Sequence, residues 1–391
     1  MKRCLLVTIL CLLSCNNIYG AEITKPEVRA MGAVLMDAKT GRILWGKNEE
    51  LPLAMASTTK IMTAVLTLEN KDLNTMVTVS KRASAAPKVK MYLKAGEEIK
   101  LEYLLYALML QSSNDAAVAI AECVAGSVED FCAMMTAKAR EIGAKDTIFE
   151  TPNGLDGTNH HSTAKDLALI AQYALNNPEF VKIINTPYVE CKSSRMHYSI
   201  SNRNRLLREY PGANGIKTGF TGKAGHCFVG AAIRDDMQLI SVVLASGWGN
   251  EGKEQKWRDT KKILDFGFGN YKYHTIVSTD ETPKRVYINR SKTDTVELYY
   301  EEGLLLPLNK QEKENIFIDI NAPTAILAPV EKGQQIGMAK IYINGQLEKE
   351  ILMLASTDAE RHDLKTSLEK VLNEWLELGT NTEMKITLPE F

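Results

Sequence analysis

Three polar stretches carry residue types that can do chemistry together. In AMASTTKIMTA (54–64), Ser57 lies three residues before Lys60, at the start of a run that is otherwise apolar and helix-prone. A serine hydroxyl at its free pKa is a poor nucleophile and needs a base beside it. A lysine three positions on shares the serine's helix face one turn later. In a dry site with a second cation near, the ammonium pKa falls and a neutral amine becomes accessible. The same pattern also describes a hydroxyl cap followed by a solvated lysine. QSSNDAAVAI (111–120) sets Ser112 and Asn114 around Ser113, between two apolar runs. That is either an ordinary interhelical turn or a hydroxyl and an amide presented to a cleft. NGIKTGFTGKAGHCFVGAA (214–232) places Lys217, Thr218 and Gly219 ahead of an apolar strand. It offers a cation, a hydroxyl and a backbone that a missing Cβ leaves open to close approach. Alone, it reads equally well as a cationic hairpin strand.

Each stretch needs an element to hold it. Residues 32–37 and 42–47 form a hairpin around the turn Asp37-Ala38-Lys39-Thr40-Gly41. Helices are expected at 58–69 and, as one or two pieces, at 102–124. Another runs from Asp166 to Leu175, with Ser162-Thr163 available as its cap. Phe228–Ile233 and Leu239–Ala245 read as strands joined by Arg234-Asp235-Asp236, and 259–268 as a short closing helix. Strands at both ends with helices between them imply a sheet packed on a helical cluster. From about residue 275 to 355 the texture changes to short β-rich runs: RVYINR, VELYYE, IFIDI, AKIYING and EKEILML. These predict a small all-β domain.

S-x-x-K, S-x-N and K-T-G in this order form the signature of penicillin-binding proteins and class A β-lactamases. The chain resembles the low-molecular-weight penicillin-binding proteins, which are serine-type D-alanyl-D-alanine carboxypeptidases. Besides the motifs, AVLMDAKTGRILWGKN, LMLQSSNDAAVAIAE, TPNGLDGTNHHSTAKDLALIA and APVEKGQQIGMAKIYINGQ carry the likeness, over roughly residues 28–355. The resemblance implies an α/β (α+β) penicillin-binding-protein/β-lactamase-like domain, with an antiparallel sheet, a helical cluster and a β-sandwich behind it. It implies Ser57 as the acylated nucleophile, Lys60 as its proton acceptor and Ser112 as a proton relay to the leaving amine. Asn114 would orient the substrate amide, Lys217 would keep the site positive and contact substrate, and Thr218 would reach the terminal carboxylate. Gly219 leaves room for substrate, and the N–H groups of Ser57 and Phe220 would form an oxyanion hole. The family's arginine near the last helix corresponds either to Arg258 or, two positions earlier, to Lys256. The implied substrate is a peptidoglycan stem peptide ending in D-Ala-D-Ala, with β-lactams as covalent inhibitors and no metal or cofactor required.

Readings from the same motifs differ in what they need. A class A β-lactamase needs a glutamate-bearing loop where this chain has TPNGLDGTNHHSTAKDL. A D,D-endopeptidase uses the same residues on cross-links. A non-catalytic wall-binding or β-lactam-sensing protein predicts loss of Ser57, Lys60 or Lys217, and all three are present. His160 and His161 suggest a metal but have no evident third ligand, so they read as loop residues that shape the cleft. Cys227 reads as a buried strand residue.

Composition bounds the partners. There are 47 Lys and Arg against 48 Asp and Glu in 391 residues, so no basic excess points to nucleic acid. The N-terminus pairs MKR with CLLVTILCLLS and ends small at Gly20-Ala21, a secretory leader over residues 1–20. LLSC at 12–15 also resembles a lipoprotein box with Cys15 as the lipidated residue. Either way the chain is expected to be exported to the bacterial cell envelope. Cys123, Cys132, Cys191 and Cys227 form no C-x-x-C pair and read as free thiols rather than zinc ligands. The expected division is 1–20, a catalytic domain over 21–273, a β-domain over 274–356 and a helical tail over 357–391. In that tail Leu364, Leu368, Val371, Leu372, Trp375 and Leu378 share one face. Such a face either packs on the β-domain or makes peripheral membrane contact, although six acids on 358–378 oppose anionic lipid.

Overall fold

A computed structural model describes residues 24–362, together with 368, 371–373 and 375. The expected leader at 1–20 lies outside the described residues, as does most of the tail. A five-stranded antiparallel sheet sits at the centre, in the spatial order 43–47, 32–37, 237–244, 225–234, 213–221. Its strands are apolar on both sides because both sides are covered. In Gly225–Arg234, Cys227, Val229 and Ala231 join the core under the helices, while Phe228 and Ala232 join the core under the last helix. Val34 and Met36 alternate with Ala33 and Leu35 in the same way. The period of two therefore divides one strand between two cores.

In chain order the helical layer falls between the 43–47 and 213–221 strands of this sheet. Lys60–Asn70, Asn114–Ala125, Val128–Ile142 and Ala164–Leu175 bury their apolar faces on one another and on the sheet. Thr163 caps the last of these by accepting from the Asp166 N–H at 3.0 Å. The run expected at 102–124 is broken: Leu101–Tyr106 passes into a wide turn at Ala107–Gln111, and Ser112 ends it at φ 68°. The closing helix is longer than expected, Gly249–Asn270 rather than 259–268. Its first half, GNEGKEQK, shows no apolar period, so periodicity marks only the second half. What admits the first half is close packing, since a Cβ on Gly252 would lie 2.2 Å from the Gly247 carbonyl carbon.

The β-rich runs form a six-stranded sheet in the order 316–321, 335–343, 346–355, 295–300, 284–289, 325–327. Lys272–Val277 pairs with Leu304–Leu308 beside it. These strands enclose a separate core that includes Val286, Leu298, Ile341, Ile351 and Met353. Cys123, Cys132, Cys191 and Cys227 are free thiols. In the tail, Leu368, Val371, Leu372 and Trp375 are exposed, so those four side chains do not pack on the β-domain. Leu364 and Leu378 lie outside the described residues. Among the described residues no helix is long and apolar enough to cross a membrane.

Candidate active site

Ser57 sits in a single tight turn, Ala56–Thr59, that opens directly into the helix Lys60–Asn70. Ala56 takes a left-handed φ of 48°, which bends the chain sharply just before the serine. Thr58 closes the turn by donating its hydroxyl to the Met55 carbonyl at 2.6 Å. The helix that follows is buried along its first two turns, and Lys60 is buried with it.

A buried ammonium must be satisfied, and Lys60 Nζ has three oxygen partners. It lies 2.9 Å from Ser57 Oγ, 2.9 Å from Asn114 Oδ1, and in contact with the Asn153 carbonyl. Burial first, and then the charge of Lys217, hold the Lys60 pKa well below its ordinary value, while Asp115 pulls the other way. A neutral amine keeps two N–H donors and gains one lone pair. Asn114 Oδ1 and the Asn153 carbonyl can only accept, so they take the two donors. The lone pair is left facing the Ser57 hydroxyl, the arrangement a general base needs.

Asn114 cannot flip its amide without loss. Its Nδ2 donates to the carbonyls of Pro87 (3.2 Å) and Lys88 (3.1 Å), which fixes Oδ1 on Lys60. Asp115 straps the same segment by accepting from the Met91 and Leu93 N–H groups. Ser112, half-buried at the end of the wide turn, lies two residues from Asn114.

The edge strand Ala213–Thr221 closes the other side. Gly219 runs against the nucleophile turn: a Cβ there would sit 3.0 Å from the Ser57 nitrogen and 3.1 Å from the Met55 oxygen. Thr218 is half-buried, and Phe220 is half-exposed with its ring stacked 4.4 Å from that of His226. Lys217 is buried, with Nζ donating to the Thr218 carbonyl at 3.1 Å. Burial and then the charges of Lys256 and Arg203 push its pKa down to about 7. Arg258 is exposed, and its guanidinium donates to Gln255 Oε1. The cation buried beside Lys217 is therefore Lys256, which burial pushes down to about 8.

The motifs thus meet: Ser57, Lys60 and Asn114 by direct contact, Gly219 by close approach, and Lys217 through its field on Lys60. Sequence reading missed Asn153, Gly154 and Arg203. Asn153 contributes a backbone carbonyl, which its side chain does not announce. Gly154, at φ 83°, would place a Cβ 2.0 Å from the Ala56 oxygen and 2.9 Å from the Ser57 nitrogen. The NG pair at 153–154 was a usable turn signal.

Known proteins share this architecture. Residues 20–247 match the S11 peptidase family, D-alanyl-D-alanine carboxypeptidase, and residues 271–361 match the C-terminal domain of penicillin-binding protein 5. The D-alanyl-D-alanine carboxypeptidase DacF of Bacillus subtilis is 32% identical over 364 residues, covering 91% of this chain and 92% of the relative. DacC of Escherichia coli is 32% identical over 345 residues, 84% of each chain. The crystal structure of penicillin-binding protein 5 from Haemophilus influenzae superimposes with a TM-score of 0.73 at 27% identity, covering 87% of this chain and all of that one. With both of its domains matched in order and the S-x-x-K lysine held on its serine, the chain belongs to the D-alanyl-D-alanine carboxypeptidase family of serine peptidases.

Proposed function

We propose that this protein removes the terminal D-Ala from peptidoglycan stem peptides through a Ser57 acyl-enzyme. Ser57 Oγ attacks the penultimate carbonyl as Lys60 takes its proton. Ser112 passes a proton to the departing D-Ala amine, and Asn114 orients the substrate amide. The N–H groups of Ser57 and Phe220 hold the tetrahedral oxyanion. Lys217, Thr218 and Lys256 receive the terminal carboxylate, and Gly219 keeps that path clear. Water then releases the shortened peptide. A β-lactam follows the first half of this course and stays attached.

The observation that carries the reading is the buried Lys60 Nζ 2.9 Å from Ser57 Oγ, with its other polar contacts on two oxygens that only accept. Catalysis belongs to residues 21–273, and the β-domain over 274–356 carries it. The protein acts outside the cytoplasm, held peripherally at the membrane by the tail over 357–391. Exposed Leu368, Val371, Leu372 and Trp375 support that contact.

Two assays test the activity. Fluorescent penicillin should label the wild type and not Ser57→Ala, and free D-Ala should appear from a synthetic pentapeptide ending in D-Ala-D-Ala. Labelling without D-Ala release would reduce the protein to a β-lactam-binding one. For the tail, co-sedimentation with phospholipid vesicles should be lost in a chain ending at residue 357, and equal retention of both chains would remove the membrane role.

A further inference from the structure

One of the paired histidines is buried and bonded through both ring nitrogens. His160 is 3% exposed. Its Nδ1 accepts the Glu150 backbone N–H at 3.0 Å, so that nitrogen carries no proton. The proton is on Nε2, which donates to Thr59 Oγ1 at 2.9 Å. Phe149 packs edge-on against the ring, with centroids 6.0 Å apart. The ring of His161, next to it, turns to the Asn159 carbonyl of its own loop, 2.7 Å from Nδ1.

The two partners of His160 lie on the two segments that hold Lys60. Thr59 is the last residue of the nucleophile turn, directly before Lys60. Glu150 and His160 bracket the loop whose Asn153 carbonyl accepts from Lys60. Among the described residues two other bonds join this loop to the nucleophile helix or its turn: Thr63 Oγ1 to the Pro152 carbonyl, and Ser57 Oγ to the Asn153 carbonyl at 3.3 Å.

We propose that His160 is a positioning residue, a neutral strut that fixes the Asn153 carbonyl against the Ser57–Lys60 pair and so aims the Lys60 lone pair at Ser57 Oγ. The inference rests on the reading of Ser57 and Lys60 given above. A protonated ring would set a second donor against the Glu150 N–H, so the strut works only while neutral. Burial pushes His160 down to about 4; Glu150 and Asp156 pull it up, and His161 and Lys223 pull it down. Without the ring, the Glu150 N–H and the Thr59 hydroxyl lose their buried partner. The loop then relaxes, the Asn153 carbonyl withdraws, and water reaches Lys60. Hydration restores the ammonium, and the proton acceptor is lost at neutral pH.

The test measures the acylation rate constant of labelled penicillin against pH for wild type, Thr59→Ala, His160→Ala, the double variant and His160→Gln. Each single alanine variant should lose on the order of tenfold in rate, as sub-ångström misplacement of reacting groups does. The acid limb reports deprotonation of Lys60, which Lys217 and Asp115 face. In both alanine variants it should move to higher pH. The double variant should be no worse than His160→Ala, because the two residues act as one unit. Glutamine keeps a side-chain N–H near the place of Nε2 and should recover part of the rate. Active-site titration and thermal midpoints restrict the comparison to folded enzyme. An acid limb unmoved in folded His160→Ala would overturn the proposal, as would additive losses in the double variant. A wild type that takes no label overturns the Ser57 reading and this inference with it, whereas normal labelling of every variant overturns the inference alone.

Discussion

A lysine can serve as a base only if something keeps it from holding its proton, and here two agents do: burial and the charge of Lys217. Replacing Lys60 by alanine should lower acylation by penicillin about a thousandfold, within the range of a lost general base, while leaving the far-ultraviolet circular dichroism unchanged. Near-normal acylation would remove lysine from that role. The other cations set the opposite limb. Lys217 and Lys256 are depressed to about 7 and about 8, so their ammonium forms exist below those values and disappear as pH rises through them. A carboxylate-terminated peptide should therefore lose kcat/KM above pH 7, steeply enough to reflect two protons. In Lys256→Arg the guanidinium stays charged, so the steepness should fall to one proton. A decline of unchanged steepness would take Lys256 out of carboxylate recognition. S-x-x-K, S-x-N and K-T-G were legible because each is local. The Asn153 carbonyl was not, because every residue has one and only the fold decides which is aimed. Lys256 stayed open against Arg258 because both lie in a polar half-helix whose facing no apolar period reveals.

At the scale of elements, the site depends on two backbones approaching closer than side chains permit. The nucleophile turn lies between the edge strand at Gly219 and the loop at Gly154. Of the two, Gly154 is the tighter, since a Cβ there would lie 2.0 Å from the Ala56 oxygen and its φ is left-handed. Gly154→Ala must push the loop away from Ser57. It should cost about 2–3 kcal/mol in stability, as overpacking with backbone strain does, and cut acylation in the folded fraction. Urea unfolding and active-site titration measure the two effects separately. A folded Gly154→Ala enzyme of full activity would show that the loop tolerates displacement. Sequence patterns gave the sheet strands well because both faces are apolar. Of the one or two helices expected at 102–124 the structure has two, divided at the polar triplet Ser112–Asn114; what the sequence did not show is the wide turn at Ala107–Gln111, whose residues are as apolar as those of the helix before it.

Across the whole molecule, the catalytic domain and the β-domain core meet through the hairpin at the start of the first sheet. Arg42 leaves that hairpin and donates to the Pro307 carbonyl at 2.7 Å and to both oxygens of Glu312, at 3.2 and 2.9 Å, with Glu348 3.5 Å away. The Arg42 and Glu312 side chains are each only 14% exposed, so this pairing is screened far less than a surface ion pair. Beside it, the Tyr273 hydroxyl donates to Asp37 Oδ2 at 2.6 Å and the Tyr271 hydroxyl to the Leu44 carbonyl at 2.8 Å. The tyrosines lie on the segment that enters the β-domain, where the Tyr271 hydroxyl also accepts from Asn309 Nδ2 at 3.4 Å, and Arg42 reaches the strand at Leu304–Leu308 and the short helix at Lys310–Glu314 with a full charge. Removing the guanidinium leaves the half-buried Glu312 beside Glu348 without a cation, a loss on the order of 2 kcal/mol concentrated at the junction. Each core should then unfold more on its own account. Scanning calorimetry of Arg42→Ala should resolve two transitions where the wild type shows one, and trypsin should cut preferentially between residues 272 and 284, with penicillin acylation retained. A single transition at the wild-type temperature would mean that the tyrosine contacts alone couple the domains.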